Sequence, residues 1–413
     1  MGRKGRLARA GLAALSLAVA LPAAADDWKF GPGIGISSKK AGFRFTLTGY
    51  IQGDANGYPN WDVSNPDLRD PETQIERARV GVELEWGRFS GELDYDPADD
   101  SERLKNLYGE VRVSKAFLAR GGNFKLPLSP EFMTSPRKID FVDRSLLANN
   151  LSPQRDWGGE LHGEIAKRLL YQVGLFAGDD RTSNTSAGTT GAARLVVTLA
   201  RGLDLGGAFA QGDVEADLDE PGSDPRPKGM EGQAHSGWVF FPRKFVNGHR
   251  RRFDAEASFL RGPVGFKAEW LEELEQRAGQ GANFEDLPDV RGRGWAVQAT
   301  WLVTGDKKKQ TIKPRRPLFH GPGAIEIGAR YEELRFDDTG SDTGFAGVGN
   351  RSRNIRPAAD TAFTGGLSWW PIQWVRLMGN VVIESFEDPL LAPEPGRTGD
   401  YVTLMWRVQL ELP

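Results

Sequence analysis

The sequence predicts an all-β fold, a transmembrane antiparallel β-barrel of about 16 strands. Apolar and polar residues alternate with a period of two from Gly42 to Leu412. One face carries charge along most strands, and the other carries bulky aromatics near strand ends. No apolar run after Ala25 approaches the roughly 20 residues that a membrane-spanning helix requires.

At the N-terminus, Arg3, Lys4, Arg6 and Arg9 form a basic region and Ala10 to Leu21 an apolar one. Ala23, Ala24 and Ala25 then make a small-residue cleavage site before Asp26. This is the pattern of a secretory signal peptide over residues 1–25, followed by one barrel domain over 26–413. Export points to the Gram-negative outer membrane once the strands are considered.

The strands are expected at 42–53, 76–87, 88–96, 104–114, 116–127, 157–166, 168–178, 190–201, 202–213, 251–262, 263–275, 293–304, 322–336, 360–370, 373–386 and 399–412. In the first, Phe43, Phe45, Leu47, Gly49 and Ile51 oppose Arg44, Thr46, Thr48, Tyr50 and Gln52. The second sets Val80, Val82 and Leu84 toward lipid against Arg77, Arg79, Glu83 and Glu85. Further inward charges follow in order: Arg112, Lys125, Glu160, Arg194, Arg252, Lys267, Arg330, Glu332, Arg376 and Arg407. Trp86, Phe89, Trp270, Trp295, Trp301, Trp369, Trp370 and Trp406 are expected outward, as interfacial girdles. A water-soluble sandwich would have to bury the charged face dry, at several kcal/mol for each ion.

Between strands, segments 54–75, 97–103, 128–156, 179–189, 214–250, 276–292, 337–359 and 387–398 are long and read as external loops. The breaks near Gly87, Ser114, Lys167, Gly202, Gly262 and Pro371 are short and read as periplasmic turns. Gly305 to Gly321 departs from this, being either a misplaced boundary or a periplasmic insertion.

The chain has no cysteine, and its four histidines are not spaced as zinc ligands. Subtracting four signal-peptide cations from 53 leaves 49 basic residues against 56 acidic ones, a charge of -7. Any preference for anions must therefore come from local placement. No cofactor, metal or nucleic-acid partner is expected. Asp94 and Asp96 could pair as acid and base, but nothing distinguishes them from other inward carboxylates, so an enzyme is not expected.

Several stretches, in order, resemble the phosphate-selective porins O and P. They are Gly49 to Gln52, Ile75 to Val80, Gly122 to Glu131, Met133 to Ser135, Arg251 to Glu256 with Gly262 to Val264, Gly294 to Ala299, and Gly323 to Tyr331. The resemblance implies a homotrimer whose third external loop, here 128–156, folds inward as a constriction. Arginines would guide small anions, phosphate or polyphosphate, past a lysine. The chain departs from the family in having Glu76 before Arg77 and in ending at Leu412-Pro413 without a terminal aromatic.

Lys125, Arg77 and Arg79 are the first candidates for the anion site, because a planar guanidinium meets two phosphate oxygens and an ammonium adds a point charge. Lys125 closes a strand directly before the inferred pore loop. Arg44, Arg194, Arg252, Arg330 and Arg376 share the inward phase and form either a basic track or cross-strand pairs with Glu83, Glu85, Glu256, Glu332 or Glu384. Asp94 is a candidate for keeping anion binding weak enough for release. The basic run Arg243, Lys244 and His249 to Arg252 would either gather anions at the mouth or bind lipopolysaccharide, and Asp213 to Asp224 reads as a solvated loop. The alternatives to an anion pore are a general diffusion porin and a plugged structural barrel.

Overall fold

The computed structural model describes residues 29–30, 34–61, 72–178, 188–214, 228–281, 283–341 and 347–412. The signal-peptide segment 1–25 and residues 215–224 of the acidic loop lie outside them. The wall is a closed antiparallel barrel of 16 strands: β1 (Phe43–Gly57), β2 (Glu72–Trp86), β3 (Phe89–Tyr95), β4 (Leu104–Ser114), β5 (Phe117–Lys125), β6 (Arg155–Ile165), β7 (Leu169–Phe176) and β8 (Thr190–Ala200), continuing as β9 (Leu203–Val214), β10 (Gly248–Arg261), β11 (Val264–Arg277), β12 (Leu287–Leu302), β13 (Ala324–Asp338), β14 (Ala358–Ile372), β15 (Val375–Phe386) and β16 (Tyr401–Glu411). Each strand pairs with its sequence neighbour, and β16 closes on β1 from Leu404 opposite Gly57 to Glu411 opposite Tyr50. Below that point Ile34–Ser38 pairs with the start of β1, from Ile34 opposite Leu47 to Ser38 opposite Phe43. Closure leaves no open edge in the hydrocarbon, so a chain this polar can occupy a membrane.

The alternation holds, with Val80, Leu84, Phe89, Leu93, Trp301, Leu367 and Trp406 exposed on the outer face. Arg407 and Asp54 face inward, 2.5 Å apart. Several strands run beyond the predicted ends at the long-loop side, as in β10 and β12, where no lipid imposes apolar residues. Short turns close the opposite end. Ala166 and Lys167 have φ of 52° and 56°, the two left-handed residues that a tight hairpin turn needs. Trp370 departs from the expectation. Neighbours on a strand point to opposite faces, and Trp369 takes the outer one. Trp370 is therefore buried inside, under the Arg376 guanidinium at 4.4 Å.

The apolar core lies inside the barrel. Segment 128–154 folds into the lumen through two short helices, α1 (Pro130–Met133) and α2 (Leu146–Asn150). Ser129 caps α1 by accepting from the Phe132 N–H at 3.2 Å, with Pro130 in the first turn. Ser145 caps α2 from the Ala148 N–H at 3.3 Å. Leu146, Leu147 and Leu151 bury against the wall of β12 and β13, and three such side chains stabilise docking by on the order of 5 kcal/mol before ordering entropy.

A second inward element was not expected from the sequence. In the segment read as a wholly external loop, 214–250, Gly232–Gln233 and Val239–Phe241 pair, and Met230, Ala234, Phe240 and Phe241 join the same core. Phe241 stacks on Phe336 at 4.4 Å. Most of the charged run beside it is paired with the protein, while Arg251 stays exposed. Arg250 reaches Glu275 at 2.6 Å, Arg252 reaches Glu273 at 3.0 Å, His249 reaches Asp213 at 2.6 Å, and the Lys244 ammonium donates to Val348 O at 2.7 Å.

Candidate functional site

Polar groups on the wall fix the inward loop by binding its backbone. Arg376 donates to Ile139 O at 2.7 Å and Asp140 O at 3.0 Å, and Arg330 to Asp143 O at 3.0 Å. Gln409 donates to Arg137 O at 3.1 Å, and Asn380 Oδ1 accepts from the Val142 N–H at 2.6 Å. The Asp140 carboxylate accepts from Lys267 at 2.7 Å, Lys308 at 2.6 Å and Gln298 at 2.8 Å. Lys308 comes from Gly305 to Gly321, which is a true periplasmic insertion entering the barrel from below. Its ammonium also meets Glu326 at 2.6 Å.

The loop divides the remaining space. A cavity of about 310 Å³ lies between it and the β1 to β7 side of the wall, and one of about 630 Å³ lies toward β8 to β12. The smaller is lined by six basic residues, Arg79, Arg120, Lys125, Arg137, Lys138 and Arg155, and by three acidic ones, Glu83, Glu92 and Asp94. The larger is balanced, with Lys138, Arg194, Lys267, Lys308 and Lys309 against Glu131, Asp140, Asp204, Glu256 and Glu269. Lys138 borders both, and also a narrow cleft of about 20 Å³ leading toward the insertion. Its backbone N–H donates to Ser135 O at 2.8 Å, while its ammonium has no hydrogen bond or ion pair among the described residues.

Of the residues singled out in the sequence, Lys125, Arg79 and Asp94 gather at the smaller cavity. The Lys125 ammonium donates to Phe132 O, and to Thr134 O at 3.3 Å, so it tethers the loop to β5. Arg79 gives only its Nε to Asp96, at 3.1 Å, while Asp94 accepts from Asn106 at 3.2 Å beside Glu92. Arg77 donates to Gln52 Oε1 at 3.1 Å and meets Glu76 at 3.0 Å. A register shift between Gln52 and Gly53 leaves Glu76 as an extra residue in β2, which brings it beside Arg77.

The other arginines do not form a free track. Arg194 is bidentate on Glu256 at 2.6 and 3.3 Å, and Arg330 holds Glu332 at 2.7 Å. Arg252 pairs with Glu273, while Arg44 and Glu85 sit 3.8 Å apart and exposed near the periplasmic rim. Arg376 is occupied by the loop carbonyls and by Ser368 Oγ at 2.9 Å. Arg252–Glu273 and Arg44–Glu85 are pairs across neighbouring strands, which stabilise the sheet; Arg194 reaches Glu256 past the intervening β9, and Arg330 and Glu332 share β13. Sequence reasoning did not single out Arg137, Lys138, Arg120 or Arg155. The adjacent basic pair Arg137-Lys138 inside the inferred pore loop was the available signal.

Above the loop, His235 is buried between two carboxylates, its Nδ1 at 3.1 Å from Asp143 and its Nε2 at 2.9 Å from Glu332. Arg330 approaches the same Nε2 at 3.2 Å, Glu384 accepts the His235 backbone N–H at 2.6 Å, and Asp360 lies behind Glu384. Burial alone would lower the imidazole pKa and Arg330 opposes its charge, but Glu332 and Asp143 outweigh both and raise it to about 10. A raised folded-state pKa stabilises fully below the unfolded value near 6.5, and that contribution is lost as pH rises toward 10. Docking of 228–246 should therefore loosen over this window. Single-channel current noise recorded from about pH 6 to about pH 11 checks it, with His235→Gln, which cannot titrate, as the flat reference.

The family model described as phosphate-selective porin O and P matches residues 45–409. Among solved structures, the outer membrane channel DcaP of Acinetobacter baumannii superposes with a TM-score of 0.58 at 13% identity, covering 91% of this chain and 99% of that one. OmpT, an outer membrane protein of Vibrio cholerae, gives 0.57 at 10%, covering 91% and 98%. An anion-selective porin from Comamonas acidovorans gives 0.53 at 11%, covering 90% and 100%. At these identities the likeness is one of fold. No curated protein is similar enough in sequence to match.

Proposed function

The chain belongs to the phosphate-selective porin O and P family, an outer-membrane porin and not an enzyme, and from that premise we propose that its pore passes small anions, with phosphate the leading solute. The observation that carries this reading is the smaller cavity, with six basic residues against three acidic ones and the uncommitted Lys138 at its junction with the larger one. Selection of phosphate requires replacing part of a strongly held hydration shell, which needs several converging cationic donors. Arg79 and Arg155 each give one Nε to the protein, Arg155 to Asn106 Oδ1 at 2.9 Å, and turn the rest of the guanidinium toward the space Lys138 borders. Carboxylates nearby, Glu92 and Asp94, weaken binding enough for release. Assembly as a homotrimer and contact with lipopolysaccharide remain part of the same reading.

Planar-bilayer reversal potential under a KCl gradient, followed by phosphate titrated against the chloride current, tests it. Anion selectivity with block at sub-millimolar to millimolar phosphate, roughly the range of a weak multi-site pore, is the expected result. A weakly selective current indifferent to phosphate would make the protein a general diffusion porin, and no current would make it a plugged barrel.

A further inference from the structure

The periplasmic insertion between β12 and β13 has two faces with different chemistry. From Gly305 to Gly321 it carries Lys307, Lys308, Lys309, Lys313, Arg315 and Arg316 against a single acid, Asp306. The inner face is held firmly. Lys308 is locked to Asp140 and Glu326, Ile312 is buried with Leu302, Ala324 and Trp370, and the Asp306 carboxylate accepts from Thr304 at 2.6 Å and the Arg315 N–H at 2.8 Å. The outer face is different: Lys313, Arg315, Arg316 and His320 are exposed, and their side chains have no hydrogen bond or ion pair among the described residues.

Beside these cations stands Phe319, 92% exposed and at φ 72°, a left-handed backbone that a bulky residue rarely adopts. The strained conformation is imposed by its surroundings. Gly323 N–H donates to Arg316 O at 2.9 Å, His320 N–H to Pro317 O at 2.9 Å, and Leu318 N–H to Pro371 O at 2.7 Å. The next contact places this turn relative to the membrane: the Trp369 indole N–H donates to Pro322 O at 2.7 Å. Trp369 belongs to the outer face of β14, next to the lipid-facing Leu367 and Ile372. The exposed turn is thus continuous with the periplasmic aromatic girdle.

We propose that residues 313–320 dock anionic phospholipid headgroups of the periplasmic leaflet, with Lys313, Arg315 and Arg316 on the phosphates and Phe319 at the hydrocarbon boundary. A merely solvated basic turn accounts for the charges but gives no reason to hold an aromatic ring in water in a disfavoured backbone. Guanidinium groups match phosphate oxygens in pairs, and a preformed turn loses little freedom when the lipid arrives. Continuity with the girdle favours lipid over a soluble partner, since it places cations and ring at the level where headgroups meet acyl chains.

Native mass spectrometry of the full-length protein in detergent, titrated with phosphatidylglycerol or phosphatidylcholine, tests the proposal. Wild type should retain phosphatidylglycerol preferentially. The triple variant Lys313→Gln/Arg315→Gln/Arg316→Gln should weaken that binding by on the order of a hundredfold and leave phosphatidylcholine unchanged. Phe319→Ser should weaken both lipids. Unaltered single-channel conductance in each variant verifies that the barrel has folded. Equal retention of the two lipids by wild type, or full phosphatidylglycerol retention by the triple variant, overturns the proposal. So does binding of a soluble acidic peptide such as polyglutamate that the triple variant loses while its lipid retention stays intact, which would assign the surface to a protein partner.

Discussion

Lys138→Glu should move the reversal potential from anion toward cation preference, lowering the anion-to-cation permeability ratio by at least about tenfold. The smaller cavity then has five basic residues against four acidic ones, in place of six against three. Two unit charges about 4 Å apart interact by about 4 kcal/mol at an effective dielectric of 20. Even if water and salt screen about half of that, the roughly 1.4 kcal/mol needed for a tenfold change is exceeded. Lys138 is suited to a large effect because no carboxylate has already neutralised it, whereas reversing Arg194 would first break its pair with Glu256. Lys138→Gln should fall between wild type and the acidic variant. Lys125→Met serves as the contrast: it removes two bonds to loop carbonyls, so its effect should be on current noise more than on selectivity. An unchanged reversal potential in Lys138→Glu would take Lys138 out of the conduction path and transfer the anion role to Arg79 and Arg155.

The wall was legible in the sequence because lipid and water impose opposite demands at every second residue. All 16 strands were anticipated, as was the inward position of Arg330, Glu332, Arg376 and Arg407. Strand ends beyond the membrane were not, since the extended part of β12 from Leu287 has water on its outer side and no compulsory apolar phase. The error at Trp370 came from reading composition where period mattered, for two adjacent tryptophans cannot share a face. The inward course of 228–246 was hidden because its signal is tertiary: Phe240 and Phe241 look like an isolated apolar pair until Phe336 is placed beside them. Lys138 escaped notice for a related reason. A lysine in a loop has no strand phase to mark its direction, and its importance lies in lacking a partner, a property of the folded arrangement alone.

Arg330→Met should release the inward loop while leaving the barrel intact. Arg330 is about 1% exposed, joins Glu332 at 2.7 Å, caps Asp143 O at 3.0 Å and lies over the Phe141 ring at 4.9 Å. Removing one partner of a buried ion pair costs about 3–5 kcal/mol, because the other is left charged without water. Here the group left behind is Glu332, which keeps the His235 imidazolium at 2.9 Å and the Leu146 N–H at 2.6 Å, so the loss should lie at the lower end of that range. The wall strands on either side keep their full ladders, from Val290 opposite Asp338 to Leu302 opposite Glu326, so the loss should appear locally. Hydrogen exchange of 128–154 should accelerate by on the order of a hundredfold or more, with the strands unaffected and the open-channel current noisier. Arg330→Met/Glu332→Gln should recover much of the protection, since a neutral amide no longer needs the guanidinium and still bonds His235 and Leu146. If exchange in the single variant stays at the wild-type rate, the loop is held without Arg330, by the buried leucines together with Arg376, Gln409 and Asn380; if the double variant is no better protected than the single one, the lost cap on Asp143 O, and not the lost ion pair, is what matters.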